Sequence, residues 1–116
     1  MKIYVTGLGV VSGIGIGVSE NIEALRQRKH GIGKVTLFPT ALDVPVSEVK
    51  RSNEELKQLI SLPPQRTVSR TALLGMIAAE EAMKDAGLTP PLRIGFISAT
   101  SVGGMDLSEH FYESFK

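Results

Sequence analysis

The sequence predicts an α/β fold in which helices cover buried strands. Two apolar stretches, at 3–11 and 93–100, are nearly continuous and rich in β-branched residues, as in strands that are buried on both faces. Each stretch is followed by a glycine-containing turn and then by a segment with helical spacing of its apolar residues. A long helical pattern lies between them. This repeated order of strand, turn and helix is typical of α/β domains.

The N-terminal strand is expected over Ile3–Val11, inside a sheet. A helix is expected next, over Val18–Lys29, because Ser19 can cap it and because acidic residues begin it and basic residues end it. Two strand-like pieces follow, at 34–38 and 44–49. Their flanking prolines place them at a sheet edge or in a bent connection.

Two further helices are predicted after these pieces. Asn53–Leu62 has a short helical pattern that is closed by two prolines. Gln65–Ala86 is the longest element, and Gly87 marks its end. The apolar residues of this long helix lie round much of its circumference, so we expect it to be buried rather than amphipathic.

The C-terminal part repeats the order of strand, turn and helix. Arg93–Thr100 is predicted to be a second buried strand, and Ser101–Gly104 a glycine turn. Asp106 and Glu109 have the spacing of a capping box for a last helix. Three apolar residues of that helix share one face: Leu107, Phe111 and Phe115. Nothing follows for this face to pack against, so we interpret the sequence as truncated and expect the isolated chain to associate.

Composition and charge exclude several classes of protein. A chain of 116 residues has room for one domain or a piece of one. Its net charge of +1 provides no field that would attract nucleic acid or an anionic membrane. It contains no Cys, and therefore no disulfide and no thiol nucleophile. We see no metal-ligand spacing, no membrane span and no secretory cleavage site, and we expect a cytoplasmic protein without a cofactor.

Five glycines in the stretch KIYVTGLGVVSGIGIG, residues 2–17, raise the question of a nucleotide phosphate site. The dinucleotide-binding pattern that starts at Gly7 requires glycine where Ser12 stands, and the short-chain dehydrogenase form requires it where Val11 stands. No acidic residue closes the next strand to hold a ribose hydroxyl. We therefore interpret the glycines as sites of tight packing and positive φ, and keep a dinucleotide-binding oxidoreductase as the less favoured alternative.

Three motifs, in the same order, closely resemble the β-ketoacyl synthases, the condensing enzymes of fatty acid and polyketide synthesis. They are VTGLGVVSGIGIG with its following helix, QRTVSRTALLGMIAAEEAMKDAGL, and RIGFISATSVGGM. The resemblance covers nearly the whole chain and is looser over 32–62. It implies a thiolase-like fold, in which two similar βαβαβ halves each hold a mixed sheet covered by helices, usually as a homodimer. Residues 1–116 are then the N-terminal portion of such a domain, an incomplete first half.

The activity implied by the resemblance is a Claisen condensation. An acyl group moves from a thioester carrier to an active-site Cys and is attacked by the carbanion that malonyl-acyl carrier protein leaves on losing carbon dioxide. The implied partners are acyl carrier protein and acyl thioesters. Family members carry the catalytic Cys, His and Lys downstream of this region, so no catalytic residue is assigned here. A non-catalytic subunit of the chain-length-factor type and an initiating synthase both remain open.

The resemblance assigns binding roles to two places. Val102 stands where family members place a residue that lines the acyl-chain pocket at the dimer interface, and Gly103 and Gly104 let the backbone turn sharply beside it. Arg66 corresponds to a basic residue on the face that docks the acidic carrier protein. The plain alternatives are a core position for Val102 and a solvated charge for Arg66.

The remaining titratable residues are not expected to act in catalysis. His30 and His110 match no catalytic position of the family, and we expect surface or structural roles for both. The carboxylates of Glu80, Glu81 and Asp85 are interpreted as a solvated helix face rather than an acid and base pair.

We predict that the chain alone transfers no acyl group. An acyl-enzyme formed through sulfur requires a thiolate, and none of the 116 residues is Cys. No Ser lies in a recognised nucleophile motif beside a His. Intact mass measured after incubation with an acyl thioester should show no covalent adduct. An adduct together with turnover would contradict the prediction.

Overall fold

The computed structural model describes residues 1–89 and 93–115, in which four helices and four very short strands are found. The helices are α1 (Val18–Arg26), α2 (Asn53–Leu59), α3 (Arg70–Asp85) and α4 (Met105–Glu113). The strands are β1 (Val11–Ser12), β2 (Gly15–Ile16), β3 (Ile32–Gly33) and β4 (Val46–Ser47). The helices lie close to their predicted places, so the differences from the sequence prediction are concentrated in the strands.

The strands form two separate antiparallel pairs. β1 pairs with β2 across a tight turn, with Val11 opposite Ile16. β3 pairs with β4, with Ile32 opposite Ser47. β4 falls inside the strand-like piece predicted at 44–49, whereas β3 lies just before the piece predicted at 34–38. The mixed sheet expected from the family resemblance is therefore not formed by the residues that the structure describes.

The long strands predicted at Ile3–Val11 and Arg93–Thr100 are wrong for this structure. Apart from Val11, neither segment has a residue in a strand, and the two segments share no sheet. Their apolar side chains are exposed rather than buried, as Ile3 at 81% and Ile97 at 98% exposure show. A β-rich composition suits a sheet, but a strand forms only where a neighbour pairs with its backbone groups. Among the described residues, 3–9 and 93–100 have no such neighbour.

Carboxylates of α3 hold the N-terminal segment in place. The backbone amide of Leu8 donates to Asp85 Oδ2 at 2.9 Å, and that of Val10 donates to Glu81 Oε2 at 3.0 Å. The other oxygen of Glu81 accepts from the amide of Val18, the first residue of α1, at 2.7 Å. Side chains of a helix thus replace the backbone partners that a neighbouring strand would supply.

Gly7 and Gly9 allow this segment to approach α3 closely. A Cβ on Gly9 would lie 1.9 Å from the carbonyl oxygen of Ala78, and one on Gly7 would lie 2.2 Å from that of Ala82. Any side chain at either position would force the segment away from the helix. The predicted role in tight packing is confirmed for both residues, whereas positive φ occurs at other glycines, among them Gly17.

The core lies between α2 and α3. Leu56 of α2 and Leu73 of α3 are completely buried, and Ile77 joins them. Burial of each such side chain stabilises the fold by ~1.5–3 kcal/mol. Seven partly buried residues pack around this centre: Val11, Ile16, Val49, Ile60, Leu62, Val68 and Leu74. Met76 of α3 is exposed, so the expectation of a helix buried all round is wrong: only one face of α3 is covered.

A capping box begins α2. Ser52 accepts from the amide of Glu55, while the carboxylate of Glu55 accepts from the amide of Ser52 at 2.7 Å. That amide and the guanidinium of Arg51 hold the pKa of Glu55 below its usual value. The resulting stabilisation is present above the pKa that Glu55 has in the unfolded chain, and it is lost as pH falls through the lower folded value.

Two other helix starts differ from the prediction. The N-cap of α1 is Gly17 rather than Ser19, and the N-cap of α4 is Gly104; neither of these residues has a side chain that could accept a helix amide. The capping box predicted for Asp106 and Glu109 is therefore not formed. The carboxylate of Asp106 instead accepts from the amide of Arg70, the first residue of α3, at 2.7 Å.

We predict that Glu81→Ala destabilises the chain by about 1–3 kcal/mol, because it leaves two part-buried amides without their acceptor. Glu80→Ala is the matched control on the same helix: it removes an exposed ion pair to Lys84, which contributes ~0.3–0.5 kcal/mol. Urea unfolding followed by circular dichroism measures both variants. Equal midpoints for the two would contradict the role of Glu81.

Candidate functional site

Val102, Gly103 and Gly104 form the turn that leads into α4. Val102 is 58% exposed and does not belong to the core. The amide of Gly103 donates to the hydroxyl of Thr100 at 3.1 Å, and φ of Gly103 is +59°. This left-handed conformation favours glycine although the space around the residue is open. The turn therefore presents Val102 on the surface of the described residues.

Gly104 packs closely against the start of α3. A Cβ placed there would lie 3.3 Å from the Cβ of Ser69, the N-cap of α3. The backbone of the turn thus lies directly against the start of α3, and a side chain at this position would fit only if Ser69 shifted by a few tenths of an ångström.

Arg66 is exposed in the segment that leads into α3. Its amide donates to the carbonyl of Pro63 at 3.0 Å, which fixes the backbone in a turn. Lys57 of α2 reaches the same segment, where its Nζ donates to the carbonyl of Pro64 at 2.7 Å. Lys57 therefore brings a second positive charge to the segment that carries Arg66. Sequence reasoning did not single it out, because Lys57 lies in α2, nine residues before Arg66.

The two predicted binding places lie at the same end of α3. Arg66 comes three residues before the cap residue Ser69, and Gly104 touches Ser69. The hydrogen bond from the amide of Arg70 to Asp106 is a second contact between the start of α3 and the start of α4. Both places thus lie near the start of α3, although 36 residues separate Arg66 from Val102 in the sequence.

The glycine-rich loop does not have the geometry of a phosphate site. Such a site needs backbone amides that point at the ligand. Here the amides of Val10 and Val18 are taken by the carboxylate of Glu81, and that of Ile16 is taken by Glu20 at 2.8 Å. These negative charges would repel a phosphate at the start of α1. The arrangement therefore argues against the dinucleotide-binding alternative.

Asn21, a buried residue of α1, makes three hydrogen bonds to the same loop. The residue is only 8% exposed, and its Nδ2 donates to the carbonyls of Gly15 at 2.9 Å and Gly17 at 2.8 Å. Its Oδ1 accepts from the hydroxyl of Ser12. Sequence reasoning missed Asn21. The pattern that could have identified it is an Asn one turn into a helix that follows a glycine loop.

The carboxylates of α3, which the sequence predicts as a solvated helix face, are exposed at Asp85 and half-buried at Glu80 and Glu81. Glu81 and Asp85 accept backbone amides of the N-terminal segment, and Glu80 pairs with Lys84 at 2.6 Å. These contacts give each carboxylate a structural partner.

The two histidines lie apart from these carboxylates. His30 is exposed, and its Nδ1 accepts from the amide of Ile32 at 3.1 Å. His110 is exposed in the last turn of α4. In the described part of the chain, no three His, Asp or Glu side chains are grouped so that they could hold a metal ion. Within the same part, every helix is too short or too polar to cross a membrane.

Comparisons with known proteins agree on one family. The model of the β-ketoacyl synthase N-terminal domain matches residues 1–114. Nodulation protein E of Rhizobium meliloti (strain 1021) is 30% identical over 97% of this chain and 29% of its own length. The 3-oxoacyl-acyl-carrier-protein synthase 2 of Coxiella burnetii is 30% identical over 97% of the chain and 28% of its own length.

A polyketide relative gives the same result. The actinorhodin polyketide putative β-ketoacyl synthase 2 of Streptomyces coelicolor is 28% identical over 93% of the chain. No solved structure matches significantly. The chain spans less than a third of the length of the curated relatives it matches. Because the family model covers nearly every residue, from the glycine-rich loop to α4, the chain belongs to the β-ketoacyl synthase family.

Proposed function

We propose that this chain is the N-terminal portion of a β-ketoacyl-acyl-carrier-protein synthase, which condenses an acyl thioester with malonyl-acyl carrier protein in fatty acid or polyketide synthesis. The observation that carries the proposal is the family match over residues 1–114. The chain contains no Cys, so the nucleophile and its partners belong to the part of the synthase outside residues 1–116. The proposed enzyme is a cytoplasmic homodimer that needs no cofactor.

Two surfaces of this chain have proposed roles in that reaction. Val102 lines the acyl-chain pocket, and its exposed position at the turn before α4 leaves it free to contact a ligand or a second subunit. Arg66 meets acidic groups of the carrier protein, supported by its exposure and by the second positive charge of Lys57 on the same segment. Both roles rest on the family resemblance, and the shared position at the start of α3 supports them.

A non-catalytic partner subunit is the second candidate, because it would keep the same fold without the nucleophile. Relatives from Coxiella burnetii and Staphylococcus aureus bear the name 3-oxoacyl-acyl-carrier-protein synthase 2, which favours the condensing enzyme. The test is an assay of the complete protein with acyl and malonyl carrier proteins, in which mass spectrometry follows the 3-oxoacyl product. Absence of product in a folded protein would favour the partner subunit.

Val102→Phe in the complete synthase is predicted to shorten the acyl chains that are accepted, because the larger side chain fills the pocket. One methylene in an apolar pocket changes the discrimination between substrates by roughly 10-fold or more. The smaller Val102→Ala is the matched control and should shift the preference toward longer chains. Product lengths are measured by mass spectrometry. Unchanged lengths in both variants would show that Val102 does not line the pocket.

Arg66→Glu is predicted to raise KM for carrier-bound substrate on the order of 2- to 10-fold, since an exposed charge pair contributes ~0.2–1 kcal/mol and reversal adds repulsion. The rate with a small thioester mimic should stay the same, because the mimic makes no carrier contact. Arg28→Glu, in the turn after α1, gives the same change in net charge and serves as the control. An equal loss with both substrates would indicate misfolding rather than docking.

A further inference from the structure

The carboxylate of Asp106 lies between the N-terminal ends of two helices. It belongs to the first turn of α4, where a negative charge is favourable. Its Oδ2 accepts from the amide of Arg70, the first residue of α3, at 2.7 Å. One side chain therefore satisfies an amide of α3 while it is anchored in α4, and it fixes the distance between the two helix starts.

The start of α3 is itself held firmly on the other side. The guanidinium of Arg70 donates to the carbonyl of Val49 at 2.6 Å and to Oδ1 of Asn53 at 2.9 Å. Ser69 caps the helix by accepting from the amide of Ala72. Asp106 thus joins α4 to a part of α3 that is already held in place. It accepts from the backbone amide of Arg70, whose side chain donates to Val49 and Asn53.

Within the turn at 102–104, the amide of Gly103 donates to the hydroxyl of Thr100, which does not link the turn to α3. Val102 is exposed, the space around Gly103 is open, and the contact of Gly104 with Ser69 fixes only one end. The position of Val102 relative to α3 is therefore set by two links, the contact of Gly104 with Ser69 and the hydrogen bond of Asp106, four residues further along the chain.

We propose that Asp106 is a positioning residue for acyl-chain selection: by accepting the Arg70 amide, it holds the Val102 turn in register with α3. This inference rests on the proposed function of Val102. Asp106 acts through the turn and does not touch the acyl chain.

The test uses the complete synthase with Asp106→Ala, Asp106→Asn and, as a matched control on α4, Glu109→Ala. Loss of the acceptor in Asp106→Ala should change the ratio of kcat/KM for a long against a short acyl substrate by about 2- to 10-fold. Asn keeps an acceptor oxygen and should restore the ratio, and Glu109→Ala should leave it unchanged. Equal losses for all chain lengths, or no rescue by Asn, would overturn the inference.

A second measurement is independent of activity. In the 116-residue chain, the amide of Arg70 should exchange with solvent about tenfold faster in Asp106→Ala than in the parent and at near-parent rate in Asp106→Asn. An unchanged rate in Asp106→Ala would also overturn the inference. If the Val102 variants shift chain length and Asp106→Ala does not, the positioning role alone fails. If the Val102 variants shift nothing, the pocket assignment fails first and the inference with it.

Discussion

The carboxylate of Glu81 accepts hydrogen bonds from the amides of Val10 and Val18, and the arrangement of the N-terminal third depends on it. These amides lie at the two ends of the glycine-rich loop, so a single side chain closes the loop and caps α1. Gly17 donates to the carbonyl of Val10 at 2.8 Å inside the same closure. Because buried amides need acceptors, the loop has this shape only where α3 lies beneath it.

Two helices of this structure have their first amide capped by a side chain from a later helix. Glu81 accepts the first amide of α1 from α3, and Asp106 accepts the first amide of α3 from α4, where Ser69 supplies a local cap as well. Helix starts usually take their caps from the residue just before them, as Ser52 does for α2. A distant cap joins secondary structure to tertiary packing, since the helix end is satisfied only when the two helices are in contact. The proposed carrier-docking and acyl-binding places both lie near the start of α3, where Asp106 accepts from the amide of Arg70.

Much apolar surface is exposed because the described residues do not form the expected mixed sheet. Ile3 and Ile97 would be buried on the two faces of a sheet, yet only one face of the N-terminal segment is covered, by α3. The apolar face of α4 is similarly open, with the rings of Phe111 and Phe115 6.2 Å apart and both exposed. Side chains of this kind stabilise a fold only when other elements cover them.

The sequence by itself determined the family, the places of the four helices and the tight packing of Gly7 and Gly9, because motifs, helical spacing and the absence of a Cβ are local properties. It also located the turn at Val102 and the exposed Arg66, whose roles remain proposals. Only the tertiary structure decided that residues 3–10 and 93–100 are not strands, since pairing needs a neighbour that composition cannot specify. It alone showed that Glu81 and Asp106 cap helices far from them in sequence, because such contacts depend on which elements pack together.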